Sequence, residues 1–393
     1  MNRNLYIFLG IEFLLGFLSS VALISASKDI YLETNSVSYI GIIVLAQALT
    51  NIVSPYIVGA ISDRFGNTKV YKYSIGASFF ILGIAYSLSN ESINSILISA
   101  TLVNAVFPLI KTVSQTLIKS YAQGGIHASN SRYQFVVQSS QLIGLTLSFF
   151  LIDALTFDFT FMFVVIVFFA CLLLSDQLDD VSQDDRNKVR TSSLSNLISS
   201  TPKYLLVLLS VSVADFFVIT LFNIILPIAS RSSNLPLGAS ISLLDATFAL
   251  GAMVSAAVLM KSEFYTKVNA HSYYLYLLSP ILIYGFVSEF NFIVNIVCSI
   301  VLGAVTTMTC VYFNSLIHSS FPDSAMGKVF GIRKFIVAIV APLYVYLISK
   351  LQHSEDFQLI IPALIGVIMV FIVFVIRITT RVKARNEQHI PIL

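Results

Sequence analysis

Apolar runs of about 20 residues recur along the whole chain and constrain its fold more than any other feature. A helix needs about 20 apolar residues to cross the roughly 30 Å of hydrocarbon in a bilayer. Twelve runs are long enough: 5–27, 37–61, 73–89, 94–118, 131–152, 157–175, 204–229, 238–260, 272–288, 291–317, 329–350 and 357–377. Each run is continuously apolar rather than alternating, which favours helices over a β-barrel. The sequence therefore predicts an all-α membrane protein with twelve transmembrane helices.

The basic residues are distributed unevenly between the two faces of the predicted bundle. Only 11% of the 393 residues are charged, against roughly 25% in soluble domains. If both termini lie on one face, 19 of the 23 Lys and Arg residues lie there as well, among them Arg333 and Lys334. Three fall on the opposite face: Lys28, Arg231 and Lys350. The positive-inside rule then places both termini in the cytoplasm.

A polar stretch divides the chain into two parts of six spans each. It lacks apolar periodicity, so we expect a solvated cytoplasmic linker there. The predicted domains are an N-terminal six-helix bundle at 1–175, the linker at 176–203, and a C-terminal six-helix bundle with a short cytoplasmic tail at 204–393. Residues 115–120 resemble residues 314–319, and 104–106 resemble 303–305, both 199 positions apart. Parallel duplicated halves are typical of membrane transporters, which bind substrate between them.

A compact charged turn joins the second and third predicted spans. Gly59, Asp63, Arg64 and Gly66 lie in the sequence GAISDRFGNTK at 59–69. A short turn that combines charge with small residues predicts a loop docked on neighbouring helix ends. An aspartate near such an end is stabilised by the positive end of the helix dipole.

The turn resembles the loop signature of the major facilitator superfamily, Gly-x-x-x-Asp-Arg-x-Gly followed by two basic residues. Asn67 and Thr68 stand at the two basic positions here, and Lys69 follows them. The resemblance implies the major facilitator fold, which consists of two pseudo-symmetric six-helix bundles. It also implies a conformational latch at Gly59, Asp63, Arg64 and Gly66, in which the aspartate pairs with a basic residue of a neighbouring span.

Other stretches resemble the branch of that superfamily that exports macrolides and enterobactin-type siderophores. They are Phe107-Pro108, 130–132 with Gln141 and Gly144, 321–323, and 327–331. The resemblance implies a proton-coupled exporter of an amphipathic small molecule, a siderophore or an antibiotic, in the bacterial cytoplasmic (inner) membrane. Such antiporters often carry a Gly-Pro-rich fifth span, whereas Gly144 is followed by LTLS. Import or facilitated movement of a small metabolite therefore stays open.

Four charged side chains lie deep within predicted spans, where a charge costs about 2.5–3.5 kcal/mol even on the insertion scale. They are Glu12, Lys111, Asp215 and Asp245. In the resembling family the first, fourth, seventh and tenth spans line the cavity, which places Glu12, Lys111 and Asp215 on cavity helices. A carboxyl in a partly dry cavity can bind and release protons, as a proton-coupled antiporter requires.

Each of these residues also has a structural interpretation. The long stem of Lys111 can reach the membrane interface, and Glu12 can make a structural hydrogen bond. Asp245 lies in the eighth span, where pairing or helix packing accounts for it. Asp215 lies deepest in its span, which favours a functional role.

Uncharged polar side chains extend the predicted cavity. Gln134, Gln138 and Gln141 recur at helical spacing in the fifth span, so one helix face carries three amides. The amides assigned to the substrate cavity are Gln115, Gln138, Asn223 and Asn314. Hydrogen bonding between helices is the alternative explanation for them.

The remaining expectations concern chemistry and partners. The sequence contains no Gly-x4-Gly-Lys-Ser/Thr loop and no His-Glu-x-x-His motif, so it predicts neither an ATPase nor another enzyme. Cys171, Cys298 and Cys310 lack metal-site or redox spacing, and we expect no metal and no cofactor. The expected partners are a small-molecule substrate, protons and the lipid bilayer, with no nucleic acid. Two halves in one chain predict a functional monomer.

Overall fold

The computed structural model describes residues 3–34, 49–50, 53, 61, 65–87, 93–121, 125–151, 157–179, 203–230, 233–261, 272–287, 291–321, 326–351 and 356–388. Helices are the only regular elements in these ranges. In chain order they are α1 (Arg3–Thr34), α2 (Asn67–Ser87), α3 (Ile93–Tyr121), α4 (Ile126–Leu151), α5 (Phe157–Asp176), α6 (Lys203–Val211), α7 (Ala214–Ala229), α8 (Leu237–Leu259), α9 (Ser279–Val287), α10 (Phe292–Ser320), α11 (Met326–Leu351) and α12 (Phe357–Gln388). A 3-10 helix, Ser272–Leu278, runs directly into α9. The predicted all-α class is confirmed.

Eleven of the twelve predicted spans coincide with these helices. The second span, 37–61, lies mostly outside the described ranges. Seven helical segments among the described residues are long and apolar enough to cross a membrane. The helices α1 and α12 continue past the predicted span ends, to Thr34 and Gln388.

The outer surface of the bundle is apolar, as a lipid-facing surface must be. On α12 the side chains of Val367, Phe371 and Phe374 are 71%, 64% and 60% exposed. Large apolar side chains exposed to this extent along one helix mark a surface that contacts a non-aqueous environment. Hydrocarbon also explains why the described backbone is helical, since a helix pairs its own N–H and C=O groups without water.

Two large hydrophobic cores lie among the described residues of the bundle. One is built from residues between Leu5 and Leu178, on α1 to α5. The other is built from residues between Leu205 and Ile376, on α6 to α12. We call these parts the N half and the C half. The domain limits at 175 and 203 stay a prediction, because most of the linker lies outside the described residues.

The two halves meet along α3, α4, α8, α10 and α11. The helix α4 packs on α8 and α10, and α3 packs on α11. We call the end of the bundle where α1 begins and where α5 and α10 end the linker face, because the 176–203 linker joins α5 to α6 there. The helices α8 and α10 both belong to the C half, and they also pack closely on each other.

Two glycines bring α8 and α10 into backbone contact. A Cβ atom on Gly251 would clash with the carbonyl oxygen of Ile300, and one on Gly303 would clash with that of Phe248. Small residues permit this approach, and close packing is a main source of helix association in a bilayer. The contact fixes α8, which also packs on α4, against α10.

The seventh span was predicted as one helix over 204–229 and is instead two helices. Ser212 and Val213 form a turn between α6 and α7, and the amide of Phe216 donates to the Val213 carbonyl at 3.0 Å. Asp215 therefore lies in the first turn of α7 rather than in the middle of a continuous helix. A break at membrane depth is tolerated only where the freed backbone groups find partners inside the protein.

Candidate functional site

The carboxylate of Glu12 is enclosed by hydroxyl groups from three other helices. Its Oε1 accepts from the Tyr71 hydroxyl at 2.7 Å and from Ser114 Oγ at 2.6 Å. Its Oε2 accepts from the Tyr133 hydroxyl at 3.1 Å. The side chain is 2% exposed. We call Glu12, Tyr71, Ser114 and Tyr133 the Glu12 cage.

Aromatic side chains pack around the cage. Phe8 lies one turn before Glu12 on α1, and its ring centroid is 5.6 Å from that of Tyr71 and 6.1 Å from that of Tyr133. Phe8 and Tyr71 are fully buried. The fold thus brings together residues from four helices, and three hydroxyls replace the water that the carboxylate loses on burial.

Lys111 lies beside the cage on α3. It interacts electrostatically with Glu12, and its side chain is half-buried. The ammonium group therefore supplies a positive charge near the carboxylate, although Lys111 does not belong to the Glu12 cage. Its neighbour Thr112 is fully buried on the side of α3 that faces α11.

The C half holds a different arrangement, a buried ion pair. Arg333 on α11 donates from Nη2 to Asp215 Oδ2 at 2.8 Å. Both side chains are 3% exposed. The guanidinium also lies over the ring of Phe216, 5.5 Å from its centroid. An arginine keeps its proton in proteins and only donates, so this is a fixed ion pair.

The ion pair is built around the break between α6 and α7. Arg333 Nη2 also donates to the Ser212 carbonyl at 2.8 Å, and Nη1 donates to Asn314 Oδ1 at 2.5 Å. Asp215 Oδ1 accepts from the Phe216 amide at 3.1 Å, as an acid does at the positive end of a helix. The arginine therefore supplies a donor to a carbonyl that the break frees from the helix ladder.

A chain of hydrogen bonds extends from the ion pair to the N half. Asn314 Nδ2 and Gln134 Nε2 each donate to the Sγ of Cys310 at 3.5 Å. Gln134 belongs to α4, whereas Cys310 and Asn314 belong to α10. The thiol thus lies between an amide of each half.

Further hydrogen bonds between the halves lie toward the linker face. Lys119 Nζ donates to the Phe321 carbonyl at 2.7 Å, and Asn130 Nδ2 donates to Ser315 Oγ at 3.1 Å. Lys334 on α11 donates to Thr112 Oγ1 at 2.7 Å and to the Pro108 carbonyl at 3.3 Å, both on α3. These contacts hold the two halves together on that side of the bundle.

Residues 8–345 match the family described as the Major Facilitator Superfamily. This chain belongs to that superfamily. It is a multi-pass membrane protein and a secondary transporter of a small molecule, because that is what the family does. Among curated proteins, none matches the chain closely enough to count as a relative.

The transporter fold brings some predicted site residues together and leaves others apart. Glu12 and Lys111 lie side by side, and Asp215 and Asn314 share Arg333. The remaining predicted cavity and buried-charge residues do not belong to either cluster: Gln115, Gln138 and Asp245 are half-buried on α3, α4 and α8, and Asn223 is exposed on α7.

Most of the predicted latch lies outside the described residues, namely Gly59, Asp63 and Arg64. Gly66 is described, and its φ of 90° lies in the left-handed region that favours glycine. Its carbonyl accepts from the Val70 amide at 3.0 Å, so Gly66 sits at the start of α2.

Sequence reasoning missed two central basic residues. Arg333 and Lys334 were assigned to the cytoplasmic face, but they are 2% and 8% exposed and lie well inside α11. The error came from counting two adjacent basic residues near a span end as flanking charge. Both positions fall inside the predicted 329–350 span, and that was the available signal. The hydroxyls of Tyr71, Ser114 and Tyr133 gave no signal in sequence.

Breaking the ion pair from one side should destabilise the protein strongly. Arg333→Met leaves the Asp215 carboxylate buried without its cation, and we expect a loss of roughly 3–5 kcal/mol in the free energy of unfolding. The double variant Asp215→Asn with Arg333→Met removes both charges and should be more stable than Arg333→Met alone. Thermal unfolding in detergent measures both, with Lys203→Met at the exposed start of α6 as the control. Additive losses in the double variant would contradict the pairing.

Proposed function

We propose that this transporter is proton-coupled and that Glu12 carries the proton. The observation that supports this role is the chemistry of its partners. All the hydrogen-bond partners in the Glu12 cage are hydroxyls, and a hydroxyl donates or accepts by rotation. The cage therefore accommodates the carboxylate and also the protonated acid, whose O–H can donate to a hydroxyl oxygen. A proton can enter and leave without breaking the fold.

Asp215 is the poorer proton carrier of the two buried acids. Its partner Arg333 has no acceptor atom and keeps its charge, so protonating Asp215 would leave a buried guanidinium without a counter-ion. That state is expensive in a low-dielectric interior. We propose that Asp215 holds α7 and α11 together, although the sequence alone favoured it as a functional acid.

Transport then proceeds by alternating access between the two halves. We propose that the described conformation is closed at the linker face, where hydrogen bonds of Lys119, Asn130 and Lys334 join the two halves. We propose that cargo binds between the halves and that these side chains contribute to its site: Glu12, Lys111, Gln115, Gln138, Asp215, Asn223 and Asn314.

We propose export as the direction and an amphipathic siderophore or antibiotic as the cargo. The supporting patterns are those of the fourth, fifth and eleventh predicted spans, which resemble macrolide and siderophore exporters. The proposed location is the bacterial cytoplasmic membrane, with both termini in the cytoplasm and a monomer as the working unit. The distribution of basic residues supports this orientation. Arg333 and Lys334 no longer count toward the cytoplasmic face, because both are buried inside α11.

Uptake of a small metabolite is the second candidate. The observation that favours it lies in α4, where Gly144 is followed by LTLS without proline and the helix runs unbroken from Ile126 to Leu151. The Gly-Pro-rich signature of many antiporters is therefore missing from the fifth span.

Glu12→Gln should uncouple transport from the proton gradient. Glutamine keeps hydrogen-bonding groups for the cage but cannot titrate, so gradient-driven accumulation should be lost while exchange of cargo across the membrane continues. Proteoliposomes with a radiolabelled macrolide and a catecholate siderophore as probes measure both activities. Asp356→Asn, at an exposed carboxyl before α12, is the matched control. Full accumulation by Glu12→Gln would rule out Glu12 as the proton carrier.

The direction of transport can be measured separately in everted membrane vesicles. With the lumen acidified, an exporter should accumulate the same two probes in the lumen, because protons leaving it drive cargo in. Vesicles from cells that lack the protein provide the baseline. If right-side-out vesicles with an acidic exterior accumulate cargo instead, uptake replaces export as the function.

The turn at 59–69 is proposed to act as the conformational latch. An aspartate held near a helix N-terminus is stabilised by the dipole and by a basic partner, so Asp63→Asn should weaken one end state and lower the transport rate. Asp176→Asn, at the end of α5 on the linker face, removes a carboxylate outside the turn and serves as the control. Equal rates for Asp63→Asn and the unmodified protein would count against a latch.

A further inference from the structure

Lys334 connects the two halves in a way that its neighbour Arg333 does not. Arg333 is anchored within the C half, to α7 and α10. Lys334, the next residue on α11, donates across the interface to Thr112 and Pro108 of α3. Its side chain is 8% exposed. One turn of α11 therefore contacts both halves: Arg333 binds its own half, and Lys334 binds the opposite half.

The cation of Lys334 depends on charges that lie beyond its hydrogen-bond partners. Thr112 Oγ1 and the Pro108 carbonyl are neutral, and neither cancels a buried positive charge. Lys334 interacts electrostatically with Lys111, Arg333 and Glu12. Arg333 is balanced by Asp215. Among the described charges, the carboxylate of Glu12 therefore offsets the positive charges of both lysines, Lys111 on α3 and Lys334 on α11.

Protonation of Glu12 changes that balance. Once its carboxyl is neutral, Lys111 and Lys334 repel each other without the compensating negative charge, and repulsion in a partly buried setting is stronger than in water. The other titratable groups that interact with Glu12 are Tyr71 and Tyr133, which donate to its carboxylate, and Cys171. Lys334 can relieve the repulsion by leaving α3, because its hydrogen-bond partners among the described residues are neutral oxygens.

We propose that Lys334 transmits the protonation of Glu12 to the contact between the halves. With Glu12 ionised, the ammonium group holds α11 on α3 and the linker face stays closed; with Glu12 protonated, it leaves α3 and that face opens. This proposal rests on Glu12 being the proton carrier. The proposal also sets the direction of exchange, because a proton taken up in the closed state opens the transporter toward the linker face.

The native thiol of Cys310 reports the opening. Cys310 is half-buried, with its Sγ between Gln134 of α4 and Asn314 of α10, so parting the halves at the linker face should expose it further. In a Cys171→Ser, Cys298→Ser background it is the one thiol left of the three in the chain. The probe is a small membrane-permeant maleimide, with rates expressed relative to free glutathione at the same pH to remove the pH dependence of the reaction itself.

Lys334→Met and Glu12→Gln should each speed labelling of Cys310 about fivefold or more, the usual lower range for coupled sites. Because both act through one contact, the double variant should label no faster than the faster single variant. Lys261→Met, at the exposed linker-face end of α8, should leave the rate unchanged. Acidification should speed labelling of the parent protein but not of either single variant. Lys334→Arg, which keeps a cation able to donate to α3, should retain the pH response.

The outcomes separate this inference from the proposed function. Unchanged labelling in Lys334→Met overturns the inference, and so does fast labelling in Lys334→Met combined with slow, pH-sensitive labelling in Glu12→Gln. If Glu12→Gln labels fast yet still accumulates cargo along the proton gradient, the contact is controlled as proposed while Glu12 is not the transported-proton site. Should Lys334→Met fail to fold, Lys334→Gln and the pH series on the parent protein carry the same comparison.

Discussion

The cost of placing charge in hydrocarbon governs the interior of this transporter. A charged side chain at the middle of a bilayer is expensive, so each one must be matched by partners that the fold brings from other helices. Glu12 is matched by hydroxyls from α2, α3 and α4. Asp215 is matched by a guanidinium from α11. Helix packing is arranged around these contacts as much as around the two apolar cores.

The two halves solve this problem with different chemistry. In the C half, Arg333 satisfies the carboxylate of Asp215, the carbonyl freed at Ser212 and the amide oxygen of Asn314. Such a site is rigid, because moving any member leaves a buried charge or carbonyl without its partner. In the N half, the partners of Glu12 are hydroxyls, which can bind its carboxyl group in either the ionised or the protonated state. Under the proposed function, Glu12 of the N half is the acid that titrates, and Asp215 of the C half is the acid that holds α7 to α11.

The sequence predicted the helical fold well because the bilayer imposes a simple length and polarity rule. The run at 94–118 became α3, and the runs at 291–317 and 238–260 became α10 and α8, within a few residues at most ends. The rule says nothing about where a helix breaks, so the turn at Ser212 and Val213 was missed. That break depends on Arg333, a residue about 120 positions away in sequence, being present to satisfy a carbonyl.

The candidate site was less predictable, and for a related reason. Glu12, Lys111 and Asp215 are visible in sequence because charge is rare in apolar runs. Their partners are not, since Tyr71, Ser114 and Tyr133 look like the many other hydroxyl side chains of a chain with 18 tyrosines. Arg333 and Lys334 were wrongly assigned to the cytoplasmic face, because the sequence locates a residue along a membrane span only to within one or two helical turns.

The adjacency of Arg333 and Lys334 has a mechanical consequence. Successive residues of a helix point about 100° apart, so one turn of α11 can contact α7 and α10 on one side and α3 on the other. The arginine contact is fixed by an ion pair, whereas the lysine contact is to neutral oxygens. In the proposed alternating-access cycle, the lysine contact is the one that breaks, and α11 then moves with the C half. The charge that stabilises the lysine contact lies in the N half, on Glu12, which is where a proton has to act if it is to control the separation.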